Sequence, residues 1–233
     1  MPATLTPRLG IVILLAVSTT FAANHVAARI AFDHGASVAT GVTVRAAGTA
    51  LVLLLLMKLQ GVPLALPRAL FGRALAVGVL VAVQSYCLYS AVALIPAALA
   101  LLVFHICPML YMLLAWAAGK ETPRASALAA MLLALAGLAL ALDVRLEGLS
   151  DRWSELGAGV SWAFGGALSF AFVYYANAHA LKAVDGRLRT FVVTTVTAVL
   201  VLTGGAAADG LALPADGSGW LGLALAWIGA AKR

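Results

Sequence analysis

Long apolar stretches alternate with short polar segments along almost the whole chain. Seven stretches reach about 18 residues or more, which is the length that a helix needs to cross a hydrocarbon core of about 30 Å. They lack the apolar and polar alternation of a membrane-barrel strand. The pattern therefore predicts seven transmembrane helices, over residues 10–30, 39–58, 74–95, 97–118, 125–142, 156–178 and 190–207. An eighth apolar run lies within 219–233, and its uncharged part of about twelve residues covers only about 18 Å of helix.

Composition places the chain among membrane proteins. Of its 233 residues, 64% are hydrophobic and 10% are charged, and the mean hydropathy is +1.04, whereas a soluble domain has about 25% charged residues. The net charge of +6 does not indicate nucleic-acid binding, because the basic residues lie in short loops between apolar runs. Cys87 and Cys107 lie inside apolar runs without metal or redox spacing, so we expect small buried side chains and no metal site. We predict an all-α membrane protein, a polytopic helix bundle whose partner is the lipid bilayer, with no nucleic acid.

Lysine and arginine positions predict the orientation in the membrane. One side holds Arg8, Lys58, Arg68, Arg73, Lys120, Arg124, Lys182, Arg187 and Arg189, and the other holds only Arg29, Arg145 and Arg152. Because cytoplasmic loops carry the excess of Lys and Arg, we expect a multi-pass protein of the cytoplasmic (inner) membrane with a cytoplasmic N-terminus. A signal peptide cleaved near "TFAAN" is the alternative for the first run. The apolar run continues through "HVAARIAF", which favours a membrane helix.

Two pairs of segments indicate an internal repeat. Residues 17–32 align with 160–175, and residues 71–83 align with 219–231 at a similar spacing. An odd number of helices separates the copies, so the second copy crosses the membrane in the opposite sense, as in the inverted repeats of secondary transporters. We predict a first five-helix repeat at 1–143, an outer loop at 144–155 and an incomplete second repeat at 156–233. The incomplete repeat is expected to hold two helices and half of a third.

The segment "YSAVALIPAALALLVFHICPMLYMLLAWAAGKETP" (89–123), followed by "LAAMLLALAGLALAL", resembles the fourth and fifth helices of EamA-type transporters of the drug/metabolite transporter superfamily. The shared features are a helix rich in small residues, a mid-helix proline at Pro108, an acidic helix end at Glu121 and a following helix that contains Gly137. "NHVAAR" (24–29) is similar to the family's Asn-Phe-Val-Ala-x-Lys, and Arg45 falls at its second-helix arginine.

The chain departs from that pattern in the first and fourth helices. Phe21 stands where the family often has Trp, and His25 and His105 stand where aromatic residues are common. The resemblance implies ten helices in two inverted five-helix repeats with both ends cytoplasmic. It also implies export or exchange of small metabolites, amino acids or drugs, with no bound cofactor.

Polar and amphipathic residues from five predicted helices fall in one layer of the membrane. They lie about two to three helical turns from the predicted outer helix ends and are Asn24, Arg45, Gln84, His105 and Trp162. Arg45 is expensive inside a membrane, so we expect it to face the bundle interior as the counter-ion of an anionic group or as a partner of Asn24. Structural roles are the alternatives: anchoring for Arg45, interhelical hydrogen bonds for Asn24 and Gln84, packing for His105 and an interfacial position for Trp162.

Pro108 is expected to bend the fourth helix, because proline cannot donate to the carbonyl of Phe104. Such a broken helix lines a cavity or is a packing kink. Glu121 is expected to form a structural ion pair with Arg124 in the loop that follows the fourth helix.

Three functions are compatible with these features. The first is a secondary transporter that exports or exchanges a small organic solute by alternating access. The second is an inactive truncated fragment of such a transporter; a homodimer could supply the missing face, although a parallel pair would not restore the inverted relation. The third is an intramembrane enzyme built on Ser161 in "GVSWA", which lacks the second glycine of a serine-nucleophile motif. We predict a transporter that is not an enzyme and has no catalytic residues.

Overall fold

The computed structural model describes residues 7–141, 153–182, 184–208 and 210–231, and this part of the chain is helical without strands. The helices are α1 (Pro7–Asp33), α2 (Val38–Leu59), α3 (Arg68–Leu94), α4 (Ala97–Phe104), α5 (Cys107–Ala117), α6 (Ala125–Ala141), α7 (Trp153–His179), α8 (Gly186–Ala208) and α9 (Gly217–Ala231). The prediction of an all-α, polytopic membrane protein is confirmed. Most of the predicted outer loop, with Arg145 and Arg152, lies outside the described residues.

Among the described residues, six segments are long and apolar enough to cross a membrane. They are α2, α3, most of α1, α7 and α8, and α4 and α5 taken together. The predicted fifth helix is present as α6, whose 17 described residues reach about 25 Å. The predicted incomplete helix is α9, whose 15 residues reach about 22 Å. Asp216 caps α9, because its Oδ1 accepts a hydrogen bond of 2.9 Å from the backbone N–H of Gly219.

The predicted fourth helix is interrupted at the position that Pro108 indicates. α4 ends at Phe104, and α5 begins at Cys107 with Pro108 in its first turn. Between them, the N–H of Ile106 donates to the carbonyl of Val103 at 3.2 Å, which is the tighter bond of a 3₁₀ turn. The expected break is therefore confirmed.

α3 is the central helix of the bundle. It packs along α7 on one side and α8 on another, while α2 packs on α8 and α1 packs on α9. Small residues make the α3–α7 contact close: Ala163, Ala167 and Ala171 are buried, and a Cβ at Gly159 would fall 2.5 Å from Cγ2 of Ile95. α6 lies at the periphery, with contacts to α4 and α5 and without a buried residue.

Large apolar side chains cover the outside of the bundle. Leu133 and Leu140 of α6 are 75% and 82% exposed, and exposed leucines, isoleucines and valines lie along α1, α2 and α8 as well. In water such a surface would be an aggregation hazard, whereas in a bilayer it contacts lipid tails.

The helix ends form two faces. At the first, here called the basic end, residues 60–70 meet residues 184–188, and Arg187 Nη1 donates to Gln60 Oε1 at 2.5 Å. At the opposite end, residues 33–38 meet residues 210–217, and the N–H of Ala215 donates to the carbonyl of His34 at 2.9 Å. The basic residues of two predicted cytoplasmic loops thus share one face of the bundle.

Candidate binding cavity

A cavity of about 310 Å³ lies between α1, α2, α3, α7 and α8, and Phe104 at the end of α4 contributes to its wall. This volume is at the small end of the range of about 300–1,000 Å³ found for ligand pockets. Asn24, Arg45 and Gln84 line it together. Three residues of the predicted polar layer therefore meet in one space.

Asn24 links three helices at the buried end of this cavity, opposite the basic end. Its buried amide accepts a hydrogen bond of 2.8 Å at Oδ1 from the hydroxyl of Tyr89, and its Nδ2 donates to the carbonyl of Ala226. Both ends of the side chain are thus satisfied, as a buried amide requires. Asn24 connects α1 to α3 and to α9.

Arg45 projects from α2 toward the same wall. Its Nη2 donates to Ser85 Oγ at 2.7 Å, and its Cζ lies 5.5 Å from the centre of the Tyr89 ring. The second contact is a cation–π interaction, which favours the position of the guanidinium over the ring. Nε of Arg45 is buried and has no hydrogen-bond partner among the described residues.

Gln84 lines the cavity on α3, and its neighbour Ser85 connects it to Arg45 by hydrogen bonds. Ser85 Oγ lies 3.4 Å from Gln84 Oε1 and donates to it, while it accepts from Arg45. Both residues are buried. The serine therefore positions the arginine without neutralising its charge.

The cavity is deeply buried at one end and accessible at the other. Its lining on α3 runs from Val77 to Tyr89, a distance of about 18 Å along the helix. Asn24 and Tyr89 are buried at the inner wall, whereas Asn177 and Arg189 are only half-buried and lie where α7 ends and α8 begins. The accessible end is therefore the basic end.

Two residues of the predicted layer do not line the cavity. Trp162 is 40% exposed and packs its ring 6.1 Å from that of Tyr86, in an apolar groove between α3, α7 and α8. His105 follows the last residue of α4 and is exposed, and its Nδ1 lies 2.6 Å from the carbonyl of Leu101 in that helix. Pro108 also lies outside the lining, although the break that it causes ends α4 at Phe104, which is part of the wall.

The structure gives Glu121 a different partner from the expected Arg124. Its Oε1 accepts a hydrogen bond of 3.1 Å from the hydroxyl of Tyr111. The Gly119 turn, with φ of +65°, folds the end of α5 back so that the carboxylate reaches this tyrosine. The loop is thus held by a tyrosine–carboxylate bond.

The lining also contains residues that were not predicted as site residues, among them His25, Tyr89, Asn177 and Arg189. Tyr89 lies in an apolar run and looks like a packing aromatic there. Tyr89 follows Ser85 by four residues, so the two side chains lie on one face of the helix, and this spacing is the sequence feature that places Tyr89 near the polar residues. The charge pattern assigns Arg189 to a cytoplasmic loop, because the sequence does not show that α8 begins as early as Gly186.

The bundle, its apolar surface and its internal polar cavity define a multi-pass α-helical membrane protein. A family model for EamA-like transporters matches residues 8–142, which is more than half of the chain and includes α1 to α6. The protein belongs to the EamA-like transporter family. No curated protein matches the chain.

Proposed function

We propose that this protein is a secondary transporter that exports or exchanges small organic metabolites across the cytoplasmic membrane by alternating access. The observation that carries the proposal is a polar cavity inside an apolar bundle, buried at Asn24 and Tyr89 and accessible at the basic end. Buried polar groups in a membrane are expensive, so a wall of them that faces open space favours a solute path over a packing role.

The helix packing supports two inverted repeats as the units that move against each other during transport. In an inverted repeat, α1, α2 and α3 correspond to α7, α8 and α9. A two-fold axis then maps the α1–α9 contact onto the α7–α3 contact, and the α2–α8 contact lies on the axis itself. The same axis maps the α2–α9 contact onto the α8–α3 contact, and both contacts are close at a glycine. A Cβ at Gly48 of α2 would meet the ring of Trp227 on α9, and a Cβ at Gly78 of α3 would meet Val196 on α8.

The polar contacts suggest which bonds change during alternating access. Asn24 belongs to the predicted first repeat, and its partner Ala226 belongs to the second. Rocking one repeat against the other would separate these two groups and open the buried wall toward the opposite end. The arrangement here is then the state that faces the basic end, which the positive-inside rule assigns to the cytoplasm.

An enzymatic role has less support. Ser161, the candidate nucleophile, donates its hydroxyl to the carbonyl of Gly157 in its own helix at 2.8 Å. The cavity lining holds His25 and three threonines but neither a serine nor a carboxylate that could orient a histidine base. We therefore propose that the chain is not an enzyme.

Transport is tested by reconstituting the purified protein into liposomes and measuring counterflow of labelled amino acids, organic acids and lipophilic drugs. We expect at least one solute to exchange faster than in protein-free vesicles, and Arg45→Ala to abolish that flux. Arg68→Ala is the matched control, because Arg68 is exposed at the basic end and does not line the cavity. Absence of flux for the whole panel, or wild-type flux in Arg45→Ala, would contradict the proposal.

A further inference from the structure

We infer that the solute is a small organic anion with an apolar body, and that Arg45 binds its carboxylate. The inference rests on the proposed function, because it names the substrate class of the same cavity. Three features of the lining lead to it: its charge, the geometry of Arg45 and the apolar character of the remaining wall.

The charge of the lining is positive and has no counter-charge. Arg45 and Arg189 both line the cavity, and no aspartate or glutamate is among its lining residues. The carboxylates of Asp33, Glu121, Asp185 and Asp216 lie in loops or at helix ends with partners of their own. A cation entering this space would meet only like charge, and the ammonium of a zwitterion would find no acid to pair with.

Arg45 is oriented to receive an acceptor. Ser85 binds Nη2 and the Tyr89 ring packs against the guanidinium, so the group is held in one orientation by neutral partners. Its buried Nε has no partner among the described residues. Nη1 donates no hydrogen bond among the described residues either, and a planar guanidinium binds a carboxylate through such remaining N–H groups with charge-assisted hydrogen bonds.

The rest of the lining favours an apolar body for the anion. Phe21, Phe104 and Phe170 contribute aromatic surface, and Val77 and Val193 contribute aliphatic surface. The volume of about 310 Å³ is suited to a single ring or a short branched chain. Asn177, whose buried Oδ1 has no partner in the described part of the chain, supplies an acceptor nearer to the accessible end.

Binding to the purified protein in detergent tests this assignment directly. The probes are acetate, butyrate, benzoate, phenylacetate and 3-phenylpropionate, each compared with its neutral amide, and phenethylamine serves as the cationic probe. We expect carboxylates with an apolar body to bind and raise Tm, while the amides and the amine leave Tm unchanged. Arg45→Gln should weaken carboxylate binding about tenfold or more, since it removes a charge-assisted pair. Arg45→Lys should retain part of the binding, and the control Arg68→Gln should retain all of it.

The outcomes separate this inference from the transport proposal. Equal binding of amide and carboxylate, tight binding of phenethylamine, no binding by any carboxylate, or wild-type affinity in a folded Arg45→Gln would overturn the anion assignment. A monodisperse size-exclusion profile and the unliganded Tm establish folding, and Arg45→Lys gives an independent readout if Arg45→Gln fails to fold. Carboxylate binding without counterflow supports the anion site and contradicts transport. Counterflow restricted to neutral or cationic solutes supports transport and contradicts the anion site.

Discussion

The hydroxyl of Tyr89 donates a hydrogen bond of 2.8 Å to Oδ1 of Asn24, and so joins the central helix α3 to α1 at the buried wall of the cavity. The same tyrosine ring packs under the guanidinium of Arg45. One side chain therefore positions both of the polar groups that the family resemblance singled out in the first two helices.

Replacing this tyrosine separates its two roles. Tyr89→Phe keeps the ring against Arg45 but leaves Asn24 Oδ1 buried without its donor, so the free energy of unfolding should fall by about 1 kcal/mol. Reversible unfolding in mixed micelles measures the change. Tyr175→Phe is the control, because the contact found for Tyr175 is with the ring of His179 at 4.7 Å, and phenylalanine preserves it. Equal stability of Tyr89→Phe and the wild type would show that the bond contributes nothing.

The contact between α1 and α9 depends on the absence of a side chain at Gly222. A Cβ there would lie 2.8 Å from the carbonyl oxygen of Ala27 and 2.9 Å from the backbone nitrogen of Ala31. Backbone atoms cannot rotate away, so Gly222→Ala should force the helices apart and cost about 1–3 kcal/mol of stability. In Gly137→Ala the new Cβ meets nothing within 4 Å, and the helix should be unchanged or stabilised. Tm values of the two variants that do not differ would refute this packing.

The break between α4 and α5 is expected to matter for transport more than for folding. Pro108→Ala supplies an N–H that can donate to the carbonyl of Phe104, which favours a continuous helix over residues 97–117. Straightening would move the Phe104 ring, which lines the cavity. We expect an unchanged or higher Tm together with a several-fold lower counterflow rate. Wild-type flux would mean that the break is only a packing feature.

The pH dependence of stability should include a contribution from Asp185 at the start of α8. Arg187 donates to this carboxylate from its side chain and its backbone N–H, and these bonds lower the pKa of Asp185 to about 2. A folded-state pKa below the ordinary 3.8 means that the stabilisation is complete above about pH 4 and is lost as the pH falls toward 2. Asp185→Asn should therefore lower Tm at pH 7 and match the wild type near pH 2. A Tm difference that stays constant over this range would exclude the carboxylate as its source.

The sequence predicted the helices well because membrane insertion imposes length and hydropathy on each span. It also predicted the break before Pro108, since a missing N–H has a local consequence. Depth in the membrane followed from counting residues, and this placed Asn24, Arg45 and Gln84 at a similar level.

Rotation about each helix axis could not be obtained in the same way. Trp162 has the expected depth but lies on an exposed side of α7 outside the cavity, and His105 lies beyond the last turn of α4 with its ring outside the cavity. In apolar helices every face is hydrophobic, so the periodicity that marks the buried side of a soluble helix is absent. The contribution of Tyr89 and Arg189 depends on helix–helix contacts between residues far apart in the chain, which no local pattern encodes.

Cysteine modification of the cavity tests most directly whether it is the solute path. Thr49 lines the cavity one turn beyond Arg45, and Thr49→Cys would be made in a background with Cys87 and Cys107 replaced by alanine. A membrane-impermeant methanethiosulfonate applied to the cytoplasmic side should modify this cysteine and abolish counterflow. The same reagent on Ser126→Cys, exposed on α6 outside the cavity, should leave flux unchanged. Complete modification of Thr49→Cys with wild-type flux would contradict the account.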